Sequence, residues 1–297
     1  MVAMLEKAFA HSLGEMGLHT LWESLKVDLE SIQKGHDSIH EFVYLAPLMF
    51  PRRGGPSWHA RSAFLLYHWE IGDTAHRSLL ESLCGYYNSA LTLLRTVLEL
   101  ALKGALYEGL AHRKFRATSH ALAEDRNGKN LIAFMDQLIS TQPSIAQDME
   151  EVSAAIYDKV ESIIDEPGYR PLLKTHLAQV SEWGLLEPMS NVHDVQDVYK
   201  RLSKDVHVLP DYTDIGRVLL KEPSELLEPR TVDPMVLREY LVMERFVVDI
   251  CAVIELNILK DNVKFVDVES NLACRIQHLE NLGMANALNT ATKLLRK

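Results

Sequence analysis

TAHRSLLESLCGYYNSALTLLRTVLELALKGALYEGLA, residues 74–111, decides how the rest of the chain reads. Apolar side chains recur at Leu79, Leu80, Leu83, Cys84, Tyr87, Ala90, Leu91, Leu94, Leu98, Ala101, Leu102, Ala105 and Leu106. That is the i, i+3, i+4, i+7 spacing of an amphipathic helix, and it predicts one long helix over 74–111. Gly85 is its weak point, since a glycine inside a helix costs about 1 kcal/mol. A polar stripe of Glu81, Asn88, Thr92, Arg95, Glu99 and Lys103 flanks the apolar face. A bundle can place a cleft at such a margin, although most polar margins are simply solvated. Arg95 and Glu99 stand four apart and can pair.

Outward from this stretch the pattern stays helical. Upstream, residues 4–33 read as one or two amphipathic helices, with Gly14 and Gly17 at a break. Residues 34–57 collect Gly35, Pro47, Pro51, Gly54, Gly55 and Pro56 around Arg52 and Arg53. They predict a long loop, which divides an N-terminal helical extension over 1–50 from a bundle over 58–297. A short aromatic helix over 58–71 follows, and Gly72, Asp73 and Thr74 supply a stop and an N-cap. Downstream, 112–130 is the most basic stretch, and helices are expected at 130–139, 144–164, 171–183, 194–207 and 235–260. Residues 211–233 are irregular, and 266–297 form one helix or two, split near Gly283. No segment sustains strand alternation, so the chain is predicted to be all-α, with N-terminal and C-terminal helices (234–297) around the middle of the sequence.

Composition narrows the function. The 297 residues are 47% hydrophobic, enough for a large core. A net charge of −10 and a pI near 5.7 oppose broad non-specific binding to nucleic acid, which needs Lys and Arg to neutralise phosphate. Cys84, Cys251 and Cys274 are odd in number, far apart and set in apolar patterns, which points away from disulfides and towards a reducing, cytoplasmic setting. The N-terminus lacks a secretory pattern. The most apolar later stretch, 241–256, is interrupted by Glu244, Arg245, Asp249 and Glu255, so no membrane span is expected.

The stretch VQDVYKRLSKDVH, 195–207, is the most suggestive for chemistry. On a helix, Tyr199, Ser203 and His207 form one column, with Lys200 and Lys204 as a basic edge and Arg201 six residues before His207. Such a set can hold a phosphate through Arg and Lys while a histidine moves a proton. Equally, it is a polar helix end whose histidine complements the dipole. His36 and His40 have the i, i+4 spacing of a metal pair, with Asp37 and Glu41 nearby, but no third ligand at fixed spacing. Asp73-x-x-His76 only approaches the Glu-x-x-His motif of a di-iron bundle, so neither a metal nor a cofactor is expected. Phosphate-loop and nucleophile-elbow motifs are missing from the sequence. Trp58, Tyr67 and Trp69, with His59 and His68 among them, can stack on bases but at helical spacing read as core.

GYYNSALTLLRTVLE at 85–99 together with YKRLSKDVH at 199–207 resembles the HEPN superfamily (higher eukaryotes and prokaryotes nucleotide-binding). The likeness covers about 74–207, the core of an up-and-down helical bundle of HEPN type. It implies a homodimer that binds RNA or a nucleotide and, in active members, a metal-independent ribonuclease of defence or toxin-like systems. Those members carry an Arg followed after four to six residues by His, which Arg201 and His207 match. The resemblance makes His207 the general acid/base for attack of the ribose 2′-OH, and Arg201 the group that holds the phosphate. Lys200, Lys204, Tyr199 and Ser203 would line the site, and Arg95 and Glu99 would support it. Leu202 departs from the small polar residue that often follows the Arg, which bears against cleavage. The alternative is a non-catalytic helical module for dimerisation or a protein partner.

Overall fold

The computed structural model describes residues 25–49, 63–141, 167–189, 192–206, 232–261 and 268–296, and among these the chain is helices and turns with no strand. The all-α expectation therefore holds. Helix α1 spans Leu29–Met49, α2 Ala63–Leu83 and α3 Tyr87–Ala111. Short helices α4 (Arg113–Arg116) and α5 (His120–Glu124) lead to α6 (Arg126–Thr141). Helix α7 is Leu173–Glu182 and α8 is Val192–Val206. Then come α9 (Pro234–Asp261), α10 (Val268–Leu282) and α11 (Ala285–Leu295). The helix expected over 144–164 lies outside the described residues.

The single helix expected over 74–111 is two. At Gly85, φ is +76°, a left-handed conformation that glycine adopts without a Cβ clash. The Tyr86 amide donates to the Glu81 carbonyl at 2.9 Å and the Gly85 amide to Ser82 at 3.0 Å, which is the double bond of a Schellman stop. The chain then doubles back as a helical hairpin. The Phe64 amide near the start of α2 meets Glu108 near the end of α3 at 3.2 Å, and Ser78 Oγ donates to the Ala90 carbonyl at 2.7 Å. Burial favours the turn: Leu94, Leu98, Leu102 and Leu106 are fully buried, at about 1.5–3 kcal/mol each, against which ending a helix is cheap. Gly72, expected to stop a helix, instead lies buried inside α2.

The loop expected from residue 34 is also overturned as far as residue 49, which is α1. Its Gly35 leaves room for α9: a Cβ there would stand 2.9 Å from Glu244 Oε2, and that side chain would have to shift. Its Pro47 has no N–H to give the carbonyl four residues back, Val43. The fully buried His68 of α2 faces that carbonyl instead, with Nε2 3.3 Å from the oxygen. Ile39, Phe42 and Leu45 of α1 belong to the same core as α2, α3 and α9.

Helix α9 runs through the middle of the core, and every side chain from 247 to 258 is buried. Its Asp249 caps another helix: the carboxylate accepts from the Asn286 amide at 3.1 Å, Asn286 Nδ2 at 2.8 Å and the Ala287 amide at 2.8 Å. Those amides open α11 and have no partner within it. The expected split of the C-terminal stretch falls at Gly283, with φ +73°. On the outer side, α7 closes the far end of α3 by laying Trp183 over Gly109, with the indole N–H donating to the Phe115 carbonyl at 2.8 Å.

Candidate functional site

Two polar seams cross this bundle. The first lies where α8 packs on α3. Val195 and Leu202 of α8 are fully buried, which turns Tyr199 inward towards the polar stripe of α3. Arg95 Nε donates to Glu99 Oε1 at 2.9 Å, and Arg95 Nη2 donates to Tyr199 Oη at 2.8 Å. Tyr199 Oη in turn donates to Glu99 Oε1 at 3.2 Å. The three groups close a triangle in which the Arg95 and Glu99 side chains keep 23% and 24% exposure. Ser203, one turn on, spends its hydroxyl on the Tyr199 carbonyl at 2.7 Å.

The other expected residues stand apart from the triangle. Arg201 is two residues beyond Tyr199, about 200° around the helix, and pairs with Glu239 of α9 at 2.8 Å. That pair is open to water, with side-chain exposures of 58% and 66%. Lys200 pairs with Asp197 at 3.0 Å, likewise in the open. Arg95, Glu99 and Tyr199 are thus brought together, Ser203 is bonded within its own helix, and Arg201 and Lys200 pair elsewhere. His207 and the Lys204 side chain lie outside the described residues. The fully buried Leu202 shows why no small polar residue stands after Arg201: that position faces the core.

The second seam lies between α1 and α2. Helical spacing sets His36 and His40 on one face of α1, with their Nε2 atoms 3.1 Å apart. From α2, His76 brings a third ring, 4.9 Å from His40 and 5.8 Å from His36 between centroids. One ligand nitrogen from each of the three lies within 4.8 Å of the others. Two of the rings are oriented through their far nitrogens. His76 Nδ1 donates to the Gly72 carbonyl at 2.9 Å, and His36 Nδ1 to Asp37 Oδ1 at 3.1 Å. Gln33 holds the same Asp37 oxygen at 2.7 Å. Burial, then the neighbouring imidazoles of His36 and His76, hold His40 below the usual histidine range.

Of the carboxylates that sequence set beside His36 and His40, Asp37 serves His36 from behind. Glu41 turns into the core, where burial raises its pKa against the pull of Arg275 at 3.0 Å. Helical spacing joins only His36 and His40, because the third histidine is 40 residues from His36 and only the packing of α2 against α1 brings it in. A lone histidine near the middle of the neighbouring amphipathic helix was the available signal.

Deeper in the core, burial places Glu244 at a pKa of about 8, and both of its oxygens lack a hydrogen-bond partner among the described residues. Burial likewise raises Glu255, whose Oε2 is 3.2 Å from His68 Nδ1. The described helices include none long and apolar enough to cross a membrane. The three cysteines are free. No protein-family model, no curated protein and no solved structure matches this chain.

Proposed function

We propose that the chain is an HEPN-like helical protein that binds RNA or a nucleotide along the α3–α8 seam. The observation that carries this reading is the triangle of Arg95, Glu99 and Tyr199. Tyr199 is the first member of the column that helical spacing sets out with Ser203 and His207, and it is Tyr199 that meets the polar stripe of α3. A phosphate arriving there competes with Glu99 for the Arg95 guanidinium, a charge-assisted contact that Arg makes well. Tyr199 offers a ring for a base, and Lys200, Arg201 and Lys204 supply positive charge on the flanks. In this reading His207 is the general acid/base for attack of the 2′-OH, and Arg201 stabilises the phosphate, with two copies of the chain paired around the RNA.

A second reading is favoured by Leu202 and Arg201. With one in the core and the other paired to Glu239, α8 is an ordinary packing helix and the protein a non-catalytic interaction module. Binding of fluorescent single-stranded RNA at low salt, followed by anisotropy, separates the two. The RNA reading expects binding that Arg95→Ala weakens at least tenfold. It also expects cleavage, unaffected by chelator, that His207→Ala abolishes without shifting the melting temperature. If the wild-type protein neither retains RNA nor cuts it, the RNA reading fails and the interaction reading stands.

A further inference from the structure

We propose that His36, His40 and His76 form a binding site for one late first-row divalent metal ion, zinc foremost, held through their outward ring nitrogens. The argument begins with spacing. Two imidazole nitrogens on a tetrahedral zinc, each about 2.0–2.1 Å from the ion, stand about 3.3 Å from one another. His36 Nε2 and His40 Nε2 are already 3.1 Å apart. One ligand nitrogen from each of the three rings lies within 4.8 Å of the others, so the set has only to draw in by about an ångström or two to meet that spacing.

Orientation is the second strand. A metal-bound histidine commonly donates its other N–H to a carboxylate or a backbone carbonyl, which fixes the tautomer and aims the lone pair. His36 has such a carboxylate in Asp37 and His76 such a carbonyl in Gly72. Asp37 is itself steadied by Gln33. Each of these two rings is thereby left with a bare Nε2, and that of His36 already stands against His40 Nε2.

Donor chemistry selects the ion. Three imidazoles suit zinc, copper, nickel and cobalt, whereas magnesium and calcium take oxygen donors. Three protein ligands leave a fourth position for water or a substrate oxygen, the pattern of catalytic rather than structural zinc. The His36 side chain keeps 45% exposure, so the cluster lies within reach of solvent. The ligands come from α1 and α2, and the ion would also pin these two helices together. The RNA reading needs no metal, so the two proposals stand or fall separately.

The test is titration of Zn2+ into full-length protein freed of metal by chelator, in competition with a chromophoric chelator. One ion per chain is expected, and His76→Gln and His40→Gln are each expected to weaken binding at least a hundredfold. Asp37→Asn, whose only hydrogen bond to the three rings is with His36, should weaken it about tenfold. His120→Gln, a histidine remote from the cluster, should leave it unchanged, and circular dichroism checks that each variant is folded. Co2+ should give the visible d–d bands of a low-coordinate site in the wild type and lose them in His76→Gln. Zinc binding that is absent from the folded wild type, that survives His76→Gln, or that Mg2+ matches would overturn the site.

Discussion

The two seams treat polar side chains in opposite ways. Where α8 lies on α3, each polar group finds its complement within the protein: a guanidinium, a carboxylate and a phenol close on themselves. Where α1 lies against α2 and α9, groups of one kind meet. Three imidazoles face each other, and Glu244 sits against Gly35 with neither oxygen hydrogen-bonded among the described residues. A closed seam is stable when empty and must exchange a partner to bind anything. An open seam is held by the apolar core around it and gains from whatever supplies the missing charge or proton.

The largest effect that would sharpen this contrast is a pH dependence of stability on the open side. Glu244 has a pKa of about 8 in the fold, against 4.5 ordinarily. Below about pH 4.5 both folded and unfolded chains hold the proton, and the group costs nothing. Between there and pH 8 the unfolded chain ionises while the fold keeps its proton, so stability falls by about 1.4 kcal/mol per pH unit and levels off above. Glu244→Gln, of nearly the same shape, should remove that slope. In urea denaturation from pH 5 to pH 8, its advantage over wild type should widen with pH; a constant gap would mean that the carboxyl is already relieved.

Next in size is Arg95→Ala on the closed side. It strands the Glu99 carboxylate and the Tyr199 hydroxyl in a half-buried seam and should cost about 1–3 kcal/mol in urea denaturation. Zinc affinity at the histidines should not change. A cost below about 0.5 kcal/mol would erase the contrast, since the triangle would then be no more than a solvated edge. The smallest effect belongs to Arg201→Ala. Its exposed pair with Glu239 should contribute less than about 0.5 kcal/mol. A larger loss in the same denaturation would show that the flank of α8 is as closed as its inner face.

Much of the scaffold can be read from the chain because it depends on local periodicity. Pro234 opening α9 and Gly283 parting α10 from α11 are local signals that the packing obeys. Gly85 was harder. Apolar residues on both sides of it keep the helical period, since each arm of the hairpin buries the same kind of face against the other, and nothing in the period marks the reversal. Gly35 and Pro47 misled for the opposite reason: both break helices in isolation, and both are accommodated by side chains from distant helices, Glu244 and His68. The contact of Arg95 with Glu99 follows from a spacing of four, but its bond to Tyr199, 104 residues away, does not. The charges of α9 were legible only as interruptions. That Asp249 caps α11 while Glu244 goes without hydrogen bonds among the described residues depends on which backbone amides come within reach, and no pattern in a single helix records that.

The exchange between Pro47, Val43 and His68 couples two helices in a way their sequences do not advertise. An ordinary helix end frays alone, one amide at a time. Here the oxygen left over in α1 is answered by a ring rooted in α2, so loosening either strand of this joint withdraws support from both. The last turn of α1 therefore cannot come undone as a private event. Its loss would take the Val43 carbonyl from an imidazole sealed in the core, whose other nitrogen lies 3.2 Å from the carboxyl of Glu255.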